Sequence, residues 1–185
     1  MALIKILTEP NKILRQKSLK VDRVDKDLQK LMDDMLETMY AAPGIGLAAI
    51  QVGVPKRIIV LDIGSRDKPE TINNEGQKEI KNPMYFVNPE IITKSSNNST
   101  YEEGCLSVPG QFAEIERPDK CNIKYLDYYG QTKELAAEGM LATCIQHEMD
   151  HLEGILFIDY LSKLKKSMIV KKLLKQKAQL DRIVI

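Results

Sequence analysis

The stretch Gly139-Met140-Leu141-Ala142-Thr143-Cys144-Ile145-Gln146-His147-Glu148-Met149-Asp150-His151-Leu152-Glu153-Gly154 holds both histidines of the chain. Its spacing predicts a helix over about 139–153, with Gly154 suited to the C′ position that ends it. Residues four apart stack on one face, so Met140, Cys144, His147 and His151 share a side. Histidines on an otherwise apolar face imply that this face is buried in the protein. Both imidazoles then reach one metal ion, and Glu148, directly after the first, lies close enough to act on a water there.

The bulk properties bound the rest. A chain of 185 residues fits one domain, 1–185, with a substantial core. With 43% hydrophobic and 29% charged residues the composition is globular, and a net charge of +1 makes no whole-protein case for a DNA or membrane partner. The apolar stretch 3–7 is interrupted by Lys5 and too short for a signal peptide. Cys105, Cys121 and Cys144 form no even framework, so thiols in a reducing cytoplasm are expected.

Working outward from the histidine helix, Leu28, Leu31, Met32, Met35, Leu36 and Met39 form a stripe that predicts a helix over about 25–42, capped by Asp25 and stopped by Pro43-Gly44. Strands are expected over 57–62, over 85–88 and 90–93 around Pro89, over 121–128, and over 132–136 after a turn at 129–131. Residues 64–82 are polar and read as a long mobile surface loop, with 95–99 a second polar loop. A basic helix is expected over 162–182. Helices and strands do not alternate regularly, which points to α+β. The expected architecture is antiparallel sheets packed around the helix carrying His147 and His151, with an N-terminal and a C-terminal helix beside them.

A His-Glu-x-x-His match needs a third ligand. The metzincin completion requires a histidine at position 157, which is Phe157, and the thermolysin-type completion requires a downstream glutamate, yet 161–180 has no acid. Cysteine and carboxylate remain. Cys105, in Glu102-Glu103-Gly104-Cys105-Leu106-Ser107-Val108-Pro109-Gly110, sits in an irregular turn that could present a thiolate, whereas Cys121 and Cys144 read better as small buried residues. A Cys-His-His set leaves a tetrahedral ion one open position, as catalysis requires, and suits zinc, iron(II), cobalt or nickel.

A third segment, Gly44-Ile45-Gly46-Leu47-Ala48-Ala49-Ile50-Gln51, is a weak signal alone. Together with Glu103-Gly104-Cys105-Leu106-Ser107 and Gln146-His147-Glu148-Met149-Asp150-His151, in that order, it resembles the peptide deformylase family. The resemblance implies that Cys105, His147 and His151 are metal ligands and Glu148 the acid/base. Gln51, through its amide, and Leu106, through its N–H, would bind the developing oxyanion, and Ile45, Gly46 and Gly104 would pair with an extended peptide. It further implies removal of the formyl group from N-formylmethionine on nascent peptides, releasing formate. Iron(II) would serve in the cell, and zinc, nickel or cobalt could occupy purified material.

Three features lie outside those motifs. Glu103 could orient a ligand or bind backbone at the Cys105 turn. Asp150 could pair structurally with a base such as Arg117. Residues 163–182 hold eight basic residues against Asp181, with Leu164, Met168, Leu173 and Leu180 as a packing stripe. Such a helix can contact RNA or acidic surfaces, and in related bacterial deformylases it is associated with docking near the ribosomal exit tunnel; a solvated face is the simpler reading.

Overall fold

Asp25 accepts a hydrogen bond from the Leu28 N–H and so caps helix α1 (Lys26–Ala41) in the computed structural model, which describes residues 2–64 and 81–183. Residues 65–80, most of the expected 64–82 loop, lie outside the described residues. The chain then forms strands β1 (Gly46–Ala48), β2 (Ile58–Leu61), β3 (Met84–Lys94), β4 (Asn98–Cys105), β5 (Val108–Pro118), β6 (Lys120–Leu126) and β7 (Thr132–Glu138). Helices α2 (Gly139–Leu152) and α3 (Lys163–Ile183) follow. Five strands form one antiparallel sheet in the order β1-β2-β3-β6-β7, and β4 and β5 form a second, two-stranded sheet. This is the expected α+β architecture.

β2 explains how the layers stack. Its unbroken run Ile58-Ile59-Val60-Leu61 is buried on both faces. Ile58 and Val60 join Met32, Met35 and Met39 of α1, while Ile59 and Leu61 join Ala142, Ile145 and Leu152 of α2. The larger sheet is thus sandwiched between two helices, and each buried aliphatic side chain contributes about 1.5–3 kcal/mol. On its other side α2 meets β4 and β5, so it lies between the two sheets. A third cluster, Val108, Ile115, Leu156, Phe157, Ile158 and Leu173, attaches α3 to β5.

Several expectations are corrected. The two strands around Pro89 are one, β3, which passes a register shift between Val87 and Glu90 where Asn88 has φ +51°. A bulge lets a proline without a donor N–H sit inside a ladder. The polar segment 95–99 is shorter as a loop, because Asn98 and Ser99 already belong to β4. Cys105 stands at the end of a strand, and Leu106-Ser107 turns the chain into β5. On α3, Leu164 and Met168 are exposed, and packing falls to Ile169, Val170 and Leu173; the Leu180 side chain lies outside the described residues. No helix among the described residues is long and apolar enough to cross a membrane.

Candidate metal centre and its cavity

Two elements bring the ligand candidates together. The β4–β5 turn presents Cys105, and α2 presents His147 and His151 from successive turns. One ligand atom from each of the three lies within 4.8 Å of the others. Cys105 Sγ is 3.2 Å from His151 Nε2. Both imidazoles are buried, as the apolar surroundings of that helix face required. Gly154, at φ +74°, ends the helix against the Arg15 backbone, where a Cβ would not fit.

Glu103 fixes the orientation of His147. Its Oε2 accepts from His147 Nδ1 at 2.7 Å, which leaves Nε2 free to act as a donor to a metal. Arg117 grips the same carboxylate from behind, through Nε at 2.5 Å and Nη2 at 3.0 Å, and donates from Nη1 to Asp150 at 2.8 Å. Tyr160 closes the cluster by donating its hydroxyl to Asp150 while its ring lies against the guanidinium. Glu103 is therefore an orienting group, and the Arg117–Asp150 pair forms as expected.

Burial sets the charge states. It alone would push the Glu103 carboxyl up, but the hydrogen bonds from His147 and Arg117 outweigh it and hold that carboxyl below its ordinary value. Burial, together with the neighbouring charge of His147, pushes His151 well down and leaves a neutral imidazole. His147 rises despite burial, because Cys105 and Glu103 both hydrogen-bond to it and Glu148 adds negative charge. The pocket favours a positive charge at this point. A cation held by Cys105, His147 and His151 would supply one, so the residues fit a metal by donor type, convergence and charge.

Glu148 faces the same cavity. Burial, helped by the charges of Glu103 and Asp150, raises its pKa to about 7. Its Oε2 is buried and has no hydrogen-bond partner among the described residues. The backbone of Gly46 approaches so closely that a Cβ there would overlap the Glu148 carboxylate. Gln51 lies opposite, fully buried. Its Oε1 accepts from the Ala48 N–H at 2.8 Å, so its NH2 must point the other way, to Ser107 Oγ at 3.1 Å and Cys105 Sγ at 3.5 Å. A donor is thereby aimed beside the ligand cluster.

The cavity measures about 430 Å³. Ile45, Gly46, Gln51, Gly104, Cys105, Leu106, His147 and Glu148 all line it, while His151 lies behind with only its Nε2 reaching Cys105. Met140, Thr143 and Cys144 form part of its wall. The sequence reading missed Ser107, Tyr101 and Phe112. Ser107 was visible only as a neighbour of Cys105, and its tie to Gln51 spans 56 residues, beyond any local pattern.

A family model described as Polypeptide deformylase matches residues 3–167. The peptide deformylase of Pelagibacter ubique (strain HTCC1062) is 64% identical over 185 residues, 100% of both chains. That of Maricaulis maris (strain MCS10) is 57% identical, covering 98% of each. Among solved structures, peptide deformylase from Ehrlichia chaffeensis superposes with a TM-score of 0.88 at 43% identity, covering 96% of this chain and 98% of that one. A second structure from that organism, in complex with actinonin, gives 0.85 at 45% identity, covering 95% and 98%.

Proposed function

The chain belongs to the polypeptide deformylase family, and we propose that its cavity performs the family's hydrolysis with Cys105, His147 and His151 as metal ligands and Glu148 as acid/base. It removes the N-formyl group from nascent peptides, releasing formate. The observation that carries the residue assignment is convergence: three ligand atoms within 4.8 Å of one another, in a cavity that also receives the Glu148 carboxylate and the Gln51 amide. The whole chain acts as one catalytic domain.

A bound cation supplies Lewis acidity, polarising the formyl carbonyl and lowering the pKa of water from about 15.7 towards about 7. Every other part of the reaction falls to the chain. Glu148 takes a proton from the water as its oxygen attacks the formyl carbon. Gln51 Nε2 and the Leu106 N–H donate to the former carbonyl oxygen as it becomes negative, each such donor being worth about 2.7–4 kcal/mol of barrier. The C–N bond breaks, Glu148 returns the proton to the leaving amine, and formate departs.

The edges of two sheets supply the peptide site. Among the described residues, β1 is the terminal strand of one sheet and β4 pairs only with β5, and both border the cavity through Ile45, Gly46 and Gly104. An extended peptide laid between them pairs its backbone with these residues. The metal is iron(II) in the cell, with zinc, nickel or cobalt acceptable to the same donors. The exposed lysines of α3, among them Lys163, Lys165, Lys171, Lys172 and Lys175, support a further contact with the ribosome in the cytoplasm. That contact should weaken with salt and on deleting the helix, and salt-independent binding would remove it.

Anaerobic purification with metal analysis, alongside a formate-release assay on a formyl-Met peptide, tests the proposal. One divalent ion per chain and stoichiometric formate, with backbone bonds intact, is the expected result. Backbone cleavage would instead indicate a metallopeptidase.

A further inference from the structure

Tyr160 stands at the protein surface, 51% exposed, yet its hydroxyl and its ring both have partners. Its place follows from the way α2 ends. Gly154 reverses the chain at φ +74°, Leu156, Phe157 and Ile158 are buried in the third apolar cluster, and the short helical turn Phe157–Tyr160 comes back alongside α2. Residue 160 thereby returns to residue 150. Two contacts of that turn bear on His147. The Phe157 ring stacks against the imidazole, with centroids 6.2 Å apart and planes at 24°. Tyr160 donates at 2.9 Å to Asp150 Oδ2, the oxygen that also accepts from Arg117 Nη1. From there the hydrogen bonds run unbroken: Arg117 holds both oxygens of Glu103, and Glu103 Oε2 meets His147 Nδ1 at 2.7 Å.

We propose that Tyr160 is a positioning residue for the metal centre: through Asp150, Arg117 and Glu103 it fixes the plane of the His147 imidazole, and so the direction in which Nε2 meets the ion. This rests on the reading of His147 as a ligand. An imidazole held on a helix keeps one soft torsion, about its Cβ–Cγ bond. The Glu103 hydrogen bond sets that torsion, but only as firmly as the carboxylate is itself held. Arg117 holds it with two donors in the plane of the guanidinium, and the third nitrogen of that plane is held by Asp150. The Asp150 side chain is 18% exposed, so water competes for its oxygens, and the Tyr160 hydroxyl keeps Oδ2 turned towards Arg117. The ring has a separate task. It lies 4.9 Å from the guanidinium carbon and covers a cation whose side chain is only 4% exposed. By keeping water from that face it preserves the low dielectric in which Arg117 and Glu103 attract strongly. Tyrosine supplies both functions, phenylalanine only the ring, and alanine neither.

The test is cobalt(II) affinity by chelator competition for wild type, Tyr160→Phe and Tyr160→Ala, with visible spectra of the cobalt-loaded proteins and thermal melts of the metal-free ones. Tyr160 is half exposed, so its variants keep the fold, and the melts separate stability from metal binding. Loss of a ligand's direct partner weakens metal binding by about 10–100-fold; Tyr160 acts further out, so Tyr160→Ala should cost roughly three- to tenfold and Tyr160→Phe about twofold. The cobalt d–d bands, which follow ligand geometry, should shift in the same order. A double-mutant cycle with Glu103→Gln traces the route: removing Tyr160 should add little further loss once Glu103 no longer transmits it, whereas independent sites add in full. Should Glu103→Gln not fold, the affinities and spectra of the Tyr160 variants decide alone. Wild-type affinity with an unchanged cobalt spectrum in Tyr160→Ala, or losses that add in full to those of Glu103→Gln, overturns the proposal and leaves the deformylase reading intact. Wild-type protein that binds no cobalt and releases no formate overturns that reading itself.

Discussion

At the scale of single residues, the site depends on two close approaches. Gly46 leaves room for the Glu148 carboxylate, so Gly46→Ala should displace it and lower kcat by about a hundredfold, the usual consequence of a misplacement near 1 Å. The fold should survive, because the overlap is with a side-chain end. Steady-state kinetics with a thermal melt check this, and unchanged kcat would contradict it. Glu103 links His147 to Arg117 inside the protein. Glu103→Gln should weaken metal affinity by about 10–100-fold in chelator competition, because the imidazole loses its orienting anion. It should also cost about 3–5 kcal/mol of stability by leaving the buried Arg117 charge under-compensated. Undiminished metal affinity would show that His147 needs no such partner.

At the scale of elements, Asp159 joins three segments. It accepts from the Leu156 N–H and pairs with Arg15 of the N-terminal turn and Lys166 of α3. Burial opposes the carboxylate, yet these partners outweigh it and hold its pKa below the ordinary value. A depressed folded pKa means that the unfolded chain takes up the proton first as pH falls. The stabilisation is thus complete above the unfolded value of about 3.9 and is lost as pH drops through the folded one. Asp159→Ala should lower urea stability by about 1–3 kcal/mol at pH 7, with the difference from wild type shrinking below about pH 4. A difference independent of pH would contradict this assignment. The same elements show what sequence can reveal. α1 and α2 were readable because apolar side chains recur on one face, and β2 because its run is apolar on both. β4 and β5 were not, since their inward faces carry Glu103 and Arg117, charges that neutralise each other only across the strand pair and break the apolar alternation. The candidate ligands Cys105, His147 and His151, which the fold brings together, were legible from residue type and context. The outward pairing of Phe112 with Gly104 needed the register.

At the scale of the whole molecule, the centre ties the β4–β5 sheet to α2 and, through Gln51, to the first edge of the larger sheet. Metal bound to the native state alone adds about 4.1 kcal/mol at a thousandfold excess over Kd. Chelation should therefore lower Tm by roughly 8–16 °C for a chain of this size, and readdition of metal should restore it. A Tm insensitive to chelation would argue against a site that joins these layers. The central claim is that Glu148 moves the proton beside a metal held by three other residues. Measuring bound metal and formate release together for Glu148→Gln tests it most directly. The account predicts metal content equal to wild type and kcat lower by at least about a hundredfold; activity within a few-fold of wild type at full metal occupancy would contradict it.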